Sequence, residues 1–447
     1  MTALSTGPST ARAALARPEL KRLGTGIALG LLAALITGPS GTGDHPYRGF
    51  TGSLLAVRVI PYLGLGLLAG VLFVLQDRGV FAGRMPKVAP LKAVQTTLGR
   101  NPLVRYAALA VALLVAIVYP TTLSPFWQGV AVEQIGIFVL LALGLNIVVG
   151  LAGLLDLGFI AFFAIGAYTT AYFTGSLPVQ PPIVLNAFFV IPIAIAVAML
   201  AGVILGGPTL RLRGDYLAIV TLGFGEIVRI LAVNGDNVFG TNITDGPRGA
   251  AIPGLSIDIF GFKYDWGLKN LPYYYLLLAF AIVVIIAFRN LEDSRVGRCW
   301  TAIREDEVAA AATGVPTVKY KLLAFSIGAA TSGLVGVLYA SKVQFFAPDN
   351  FLLIQSILVL TMVIFGGMGS IAGVVLGAAV LQWLPQILRG YVPAEDRFIY
   401  FGALLVIMMI FRPQGILPSR RRARELRLSE AGIGGADATG PTPGTTQ

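Results

Sequence analysis

Cysteine and histidine are almost missing from this sequence: Cys299 and His45 stand alone. One cysteine excludes an intrachain disulfide, and one thiol plus one imidazole is too small a ligand set for a zinc-type site, so no metal is expected. Charge is scarce too, at 12% of residues. No Gly-Lys dipeptide occurs, which rules out a Walker A phosphate loop. The run Gly366-Gly367-Met368-Gly369-Ser370 has glycines like such a loop, but it lies between two apolar segments. Nucleophile, base and orienting group never fall together, so no catalytic residue is assigned and the chain is not expected to be an enzyme.

What the chain has in quantity is apolar length. At 56% hydrophobic, with mean hydropathy +0.79 and 54 glycines in 447 residues, it carries more apolar surface than one soluble core hides. The fold class is therefore all-α polytopic integral membrane protein. A bilayer core of ~30 Å takes about 20 mostly apolar residues per helix, and long continuous runs argue against the alternating strands of a barrel. Twelve stretches qualify: 23–37, 59–76, 106–123, 130–149, 151–173, 183–206, 216–233, 272–288, 322–341, 352–368, 371–388 and 398–411. About 10–12 transmembrane helices are expected. The first is read as a retained helix, since no small-x-small cleavage site follows it.

Twelve crossings divide the charge unevenly. Of 33 Lys and Arg, 24 fall on one side and eight on the other, with Arg229 inside a segment. The positive-inside rule makes the first side cytoplasmic, with both chain ends on it. That distribution also accounts for the net charge of +11 without a nucleic-acid partner. The expected organisation is a disordered amino end (1–22), an N-terminal helical extension with a basic linker (23–105), a main transmembrane domain (106–411), and a basic, then disordered tail (412–447). Within the main domain, 234–271 forms an external loop.

The largest polar surface between two membrane segments is 289–321, with six basic and five acidic residues. A polar island in such a chain is a place for another protein to dock. Its middle, 302–313, lacks Pro and Gly and predicts one short helix, stopped by Gly314 and kept from resuming by Pro316.

Charged groups at membrane depth are costly, which makes Glu133, Asp156, Glu226 and Arg229 candidates for function. Glu226 and Arg229 are three apart on one helix and can pair with each other, whereas Glu133 lies near a helix end and can reach water. Asn146 and Asp156 flank the glycine break at 150–153, where a polar lining of a permeation path and a simple inter-helix hydrogen bond are both open. Gly369, Gly373 and Gly377, spaced by four like Gly26 and Gly30, Gly66 and Gly70, and Gly202 and Gly206, suit close helix packing. On these grounds the chain is a transporter or channel subunit with a docking loop. A secondary carrier using Asp156 and Glu226 as ion ligands would leave that loop unexplained.

Four stretches then carry a resemblance: LRLRGDYLAIVTLGFGEIVRI (210–230), GRCWTAIREDEVAAAATGV (297–315), VIFGGMGSIAG (363–373) and FRPQGILP (411–418). Together they resemble the LivM-type permease of bacterial branched-chain amino acid ABC importers, over roughly 100–420. The resemblance implies a multi-pass subunit of the bacterial inner membrane that binds no cofactor itself, with ATP on partner subunits. Those partners are a related LivH-type permease, two cytoplasmic ATP-binding subunits and an extracytoplasmic substrate-binding protein. It implies that Arg304, Glu305, Asp306, Glu307, Ala309, Ala310 and Gly314 form the loop that contacts the ATPase, with Val308 where the family motif has Glu. A permease for urea or short-chain amides is the alternative within that class.

Overall fold

The computed structural model describes residues 113–387 apart from 210–214, 238–239 and 260–261, together with a few positions between 402 and 417. The expected helices at 23–37, 59–76 and 398–411, the amino-terminal extension and the basic tail lie outside the described residues. The chain divides into two compact units at Leu114 and Val115, and the fold below belongs to the second.

Eleven helices are described: α1 (Leu113–Thr122), α2 (Pro125–Leu151), α3 (Phe159–Phe173), α4 (Ala187–Thr209), α5 (Asp215–Val233), α6 (Asn270–Asp293), α7 (Arg295–Glu305), α8 (Glu307–Ala312), α9 (Thr317–Val343), α10 (Leu353–Gly366) and α11 (Ile371–Ile387). Six spans are long and apolar enough to cross a membrane: α2, α4, α5, α6, α9 and the stretch Pro348–Gly366 that ends in α10. Helices α2 and α9 are buried along most of their length, while α4, α5 and α6 keep wide apolar faces exposed. This is a helical bundle around two central members.

Small residues let the central helices touch. A Cβ at Gly166 of α3 would meet the Gly333 backbone of α9, one at Gly336 would meet the Phe163 carbonyl, and Gly202 of α4 faces Ala329. Apolar helices gain little by leaving apolar lipid, so close backbone approach supplies much of their attraction.

Two crossings are not helical throughout. Helices α3 and α10 have 15 and 14 residues, hence about 22 Å and 21 Å at 1.5 Å per residue, short of a ~30 Å bilayer core. Irregular backbone at 152–158, and a short strand with a 3-10 turn at 345–351, complete them. Such backbone is tolerated at membrane depth only where protein or a water-filled cavity satisfies it. Before α3 the partners are in place: Thr221 Oγ1 of α5 accepts from Leu157 N, Asp156 Oδ1 from Gly158 N, and Ser356 Oγ of α10 from Ile160 N. The apolar run begins at Leu151, but the helix starts eight residues later, at Phe159, because these side chains hold the chain open.

The 234–271 stretch forms two small antiparallel ladders. Strand β1 (Ala250–Ala251) pairs with β4 (Phe345–Phe346) beyond α9, and β2 (Ser256–Ile259) pairs with β3 (Phe262–Asp265). The first ladder ties this connection to the start of the second irregular crossing. The bundle therefore has a hairpin end, carrying these ladders, and a charged-loop end, carrying 289–321.

Candidate functional site

The charged loop folds as two helices where one was expected at 302–313. Helix α7 ends at Glu305, and Asp306, at φ −154°, accepts from Val308 N and Ala309 N to cap α8. A carboxylate that satisfies two orphan donors starts a new helix more favourably than it continues the old one. Gly314 ends α8 with φ +88°, a conformation that favours glycine. Ser294 caps α7 by accepting from Val296 N and Gly297 N.

One face of α7 turns inward. Trp300 is fully buried and donates Nε1–H to the Tyr320 carbonyl at 2.7 Å. Lys321, buried on α9, pairs with Glu307 at 2.5 Å, which clips α8 to the same helix. The exposed surface is built of Glu305 at the end of α7, Asp306, and Val308, Ala309 and Ala312 of α8, with Ala310 turned inward.

Arg304 leaves the loop and enters the bundle. Its guanidinium donates to the Gly150 carbonyl at the end of α2, its aliphatic part lies against Gly153, and its Nη1 lies beside Gly369. Asn146 of α2, buried, accepts from Gly369 N at 2.9 Å. A side chain at Gly150 would strike both Asn146 and the Gly369 backbone. Gly369 sits in the turn before α11 with φ +79°, while Gly373 and Gly377 lie on α11 and press their backbone onto Gly366 of α10. The segment around Gly415 closes the cluster, with Ile416 N and Leu417 N donating to Phe365 O and Gly366 O. Three of the four quoted stretches thus meet at one point.

The remaining candidates lie elsewhere. Asp156 is 1% exposed; Oδ1 serves Gly158 N, and Oδ2 has no hydrogen-bond partner among the described residues. Glu226 and Arg229 pair at 2.5 Å on α5, and Arg229 also approaches Asp349 at 3.7 Å. A cavity of about 530 Å³ opens at the hairpin end, and Asn146, Asp156 and Glu226 do not line it. Glu133 does, with Gln134, Gln355 and Gln382. Charge in apolar runs points to Glu133, while these glutamines, whose amides carry the same signal more quietly, are not marked by it.

Comparison with known proteins gives the arrangement its class. Residues 130–412 match the family model described as branched-chain amino acid transport system / permease component, and the chain belongs to that family. It is a multi-pass membrane protein. The chain is 40% identical over 344 residues to the high-affinity branched-chain amino acid transport system permease protein LivM of Escherichia coli K12, covering 72% of this chain and 78% of that one. The LivM protein of Salmonella typhimurium is 39% identical over 342 residues, covering 72% and 77%. The permease protein LivH of Escherichia coli K12 is more distant, at 25% over 298 residues, covering 63% of this chain and 91% of that one. No solved structure matches the chain.

Proposed function

We propose that the chain is the permease subunit of an ATP-driven importer of branched-chain amino acids, seated in the bacterial cytoplasmic membrane with its charged-loop end inside. Its partners are a related LivH-type permease, two cytoplasmic ATP-binding subunits and an extracytoplasmic substrate-binding protein. The names and identities of the LivM relatives support the substrate class. The uneven distribution of Lys and Arg supports the orientation. This chain binds no cofactor; ATP sits on the partners.

The observation that carries the mechanism is Arg304, which joins the exposed loop to the end of α2 and lies beside the α10–α11 turn. The exposed face of α8, with Val308 62% exposed just after three acidic residues, is the surface offered to an ATPase. Closure of the ATPase dimer displaces α7 and α8. Arg304 passes that displacement to two helix pairs at once, because glycine-packed backbone at Gly150, Gly366 and Gly369 moves as a block. The equilibrium between inward-open and outward-open bundles then shifts by the difference in fit of the two states to the closed ATPases.

The test is leucine uptake into proteoliposomes holding this chain with and without its three partner subunits and the binding protein. Uptake that needs every partner and ATP is expected. Uptake by this chain alone, driven by an ion gradient, overturns the proposal.

A further inference from the structure

The cavity at the hairpin end has a polar side whose charge is placed asymmetrically. Glu133 stands on a π-helical turn, Val130–Gly136, inside α2. Single wide turns of this kind re-aim side chains and recur at functional sites. Facing Glu133 at 3.7 Å is the ammonium of Lys342, at the end of α9. The Glu133 side chain is 47% exposed and that of Lys342 only 2%. The anion therefore borders the opening and the cation stands behind it.

This is not the geometry of a closed ion pair. Charge-assisted N–H···O bonds run at about 2.7–2.9 Å. Lys342 makes such contacts elsewhere, donating to Leu268 O at 2.9 Å and to Asn270 Oδ1 at 2.8 Å, with the Tyr273 ring 5.5 Å away. Glu133 thus keeps acceptor capacity toward the cavity. The apolar run ends at 341, but the helix continues to Val343 and buries Lys342.

A second acceptor is waiting. Gln355, near the start of α10, lines the cavity, and its buried Oε1 has no hydrogen-bond partner among the described residues. Buried amide oxygens are rarely left unpaired without a reason. Two acceptors on one cavity fit a group with several N–H donors, and a primary ammonium has three. Gln382 of α11, on the same cavity, offers an amide N–H₂ to a carboxylate. Besides Gln134, Asn350 and Tyr339, the rest of the wall is apolar, with Phe163, Leu358 and Met362 on it. A volume of about 530 Å³ is in the range of small-molecule pockets.

We propose that this cavity is an amino-acid site within the permease itself, in which Glu133 and Gln355 receive the α-ammonium and Leu358 borders the branched side chain. The inference rests on the reading of the chain as a branched-chain amino acid permease and names where that substrate halts. Glu133 and Gln355 partner the ammonium while Gln382 partners the carboxylate, so a zwitterion uses all three where a simple amine leaves Gln382 unused.

The experiment uses the full complex in nanodiscs, without binding protein, and radiolabelled L-leucine. E133Q is expected to weaken leucine binding about tenfold or more, because a charged hydrogen-bond partner is lost. Lys342 keeps Leu268 O and Asn270 Oδ1 in that variant, so assembly is expected to survive. In proteoliposomes with binding protein, E133Q should lose leucine uptake while retaining ATP hydrolysis stimulated by the loaded binding protein. Should E133Q fail to assemble, L358W decides: filling the apolar wall should lower the uptake ratio of leucine to alanine about tenfold. A wild-type complex that transports leucine while E133Q matches it in binding and uptake overturns the site alone, as does an unchanged ratio in L358W. A wild-type complex that transports no leucine overturns the functional reading and the site with it.

Discussion

The two ends of the bundle are built on opposite principles. At the charged-loop end, backbone lies on backbone: Gly366 meets Gly373 and Gly377, Gly415 meets Gly367, and polar groups such as Gly369 N and the Gly150 carbonyl have their partners. At the hairpin end there is a cavity, a long-range ion pair and an amide oxygen unpaired among the described residues. A close-packed cluster has few ways to deform and transmits a displacement, whereas an under-satisfied cavity has affinity to give to a ligand. The division suits a protein driven from one end and loaded at the other.

The sharpest way to break this contrast is to place a methyl-bearing side chain in each end. Gly366→Val would drive its Cβ into the backbone of Gly373 and Val374, which cannot step aside. We expect a loss of about 3 kcal/mol or more, at the upper limit of overpacking penalties. Size-exclusion profiles of the detergent-extracted chain should show little folded protein. At the other end, a milder enlargement beside the cavity, Val343→Ile, should leave the folded yield as it is. Equal damage at both ends would remove the distinction between a rigid and an open end.

Next in size is Arg304→Ala. The chain should still insert and assemble, since the α7–α9 contacts through Trp300 and the Glu307–Lys321 pair remain. ATP hydrolysis should continue while leucine uptake falls at least about tenfold, a coupling loss of roughly 1.4 kcal/mol or more. Normal uptake in R304A would mean that the displacement travels by another route.

How much of this was readable beforehand differs by level. The long apolar runs placed α4, α5, α6, α9, α10 and α11 to within a few residues, because lipid leaves helices as the economical way to satisfy the backbone. The start of α3 was not readable. The run LAGLLDLGF is apolar whether helical or extended, and the groups that hold it open come from Thr221 and Ser356, 64 and 196 residues along from their backbone donors. The split between α7 and α8 carried a local sign, an N-cap residue at Asp306, which a count of helix formers across 302–313 overrode. The motifs around Arg304, Gly369 and Gly415 were visible one by one. Their meeting was not, since nothing within each stretch says which carbonyl Arg304 will reach. For the cavity, the search for charge found Glu133 and missed Gln355 and Gln382.

Asp306→Ala tests the split itself. Losing a cap that accepts from two N–H groups costs about 1 kcal/mol, and its effect should stay local, appearing as faster hydrogen exchange over 307–312. Unchanged exchange there would mean that the Glu307–Lys321 clip, not the cap, holds α8.

The smallest expected effect lies at the hairpin end. Gln386 Nε2 donates to Gln134 Oε1 at 2.7 Å, joining α11 to the π-helical turn that carries Glu133. Side-chain hydrogen bonds between membrane helices are worth on average about 0.6 kcal/mol, because the separated helices find other partners. Gln386→Leu should therefore lower the thermal midpoint of the purified chain only slightly. Its effect on leucine binding should be larger than its effect on stability, since the bond orients the turn more than it holds the bundle together. Were stability to drop by several kcal/mol instead, the hairpin end would be as tightly interlocked as the charged-loop end, and the contrast between them would fail at its weaker member.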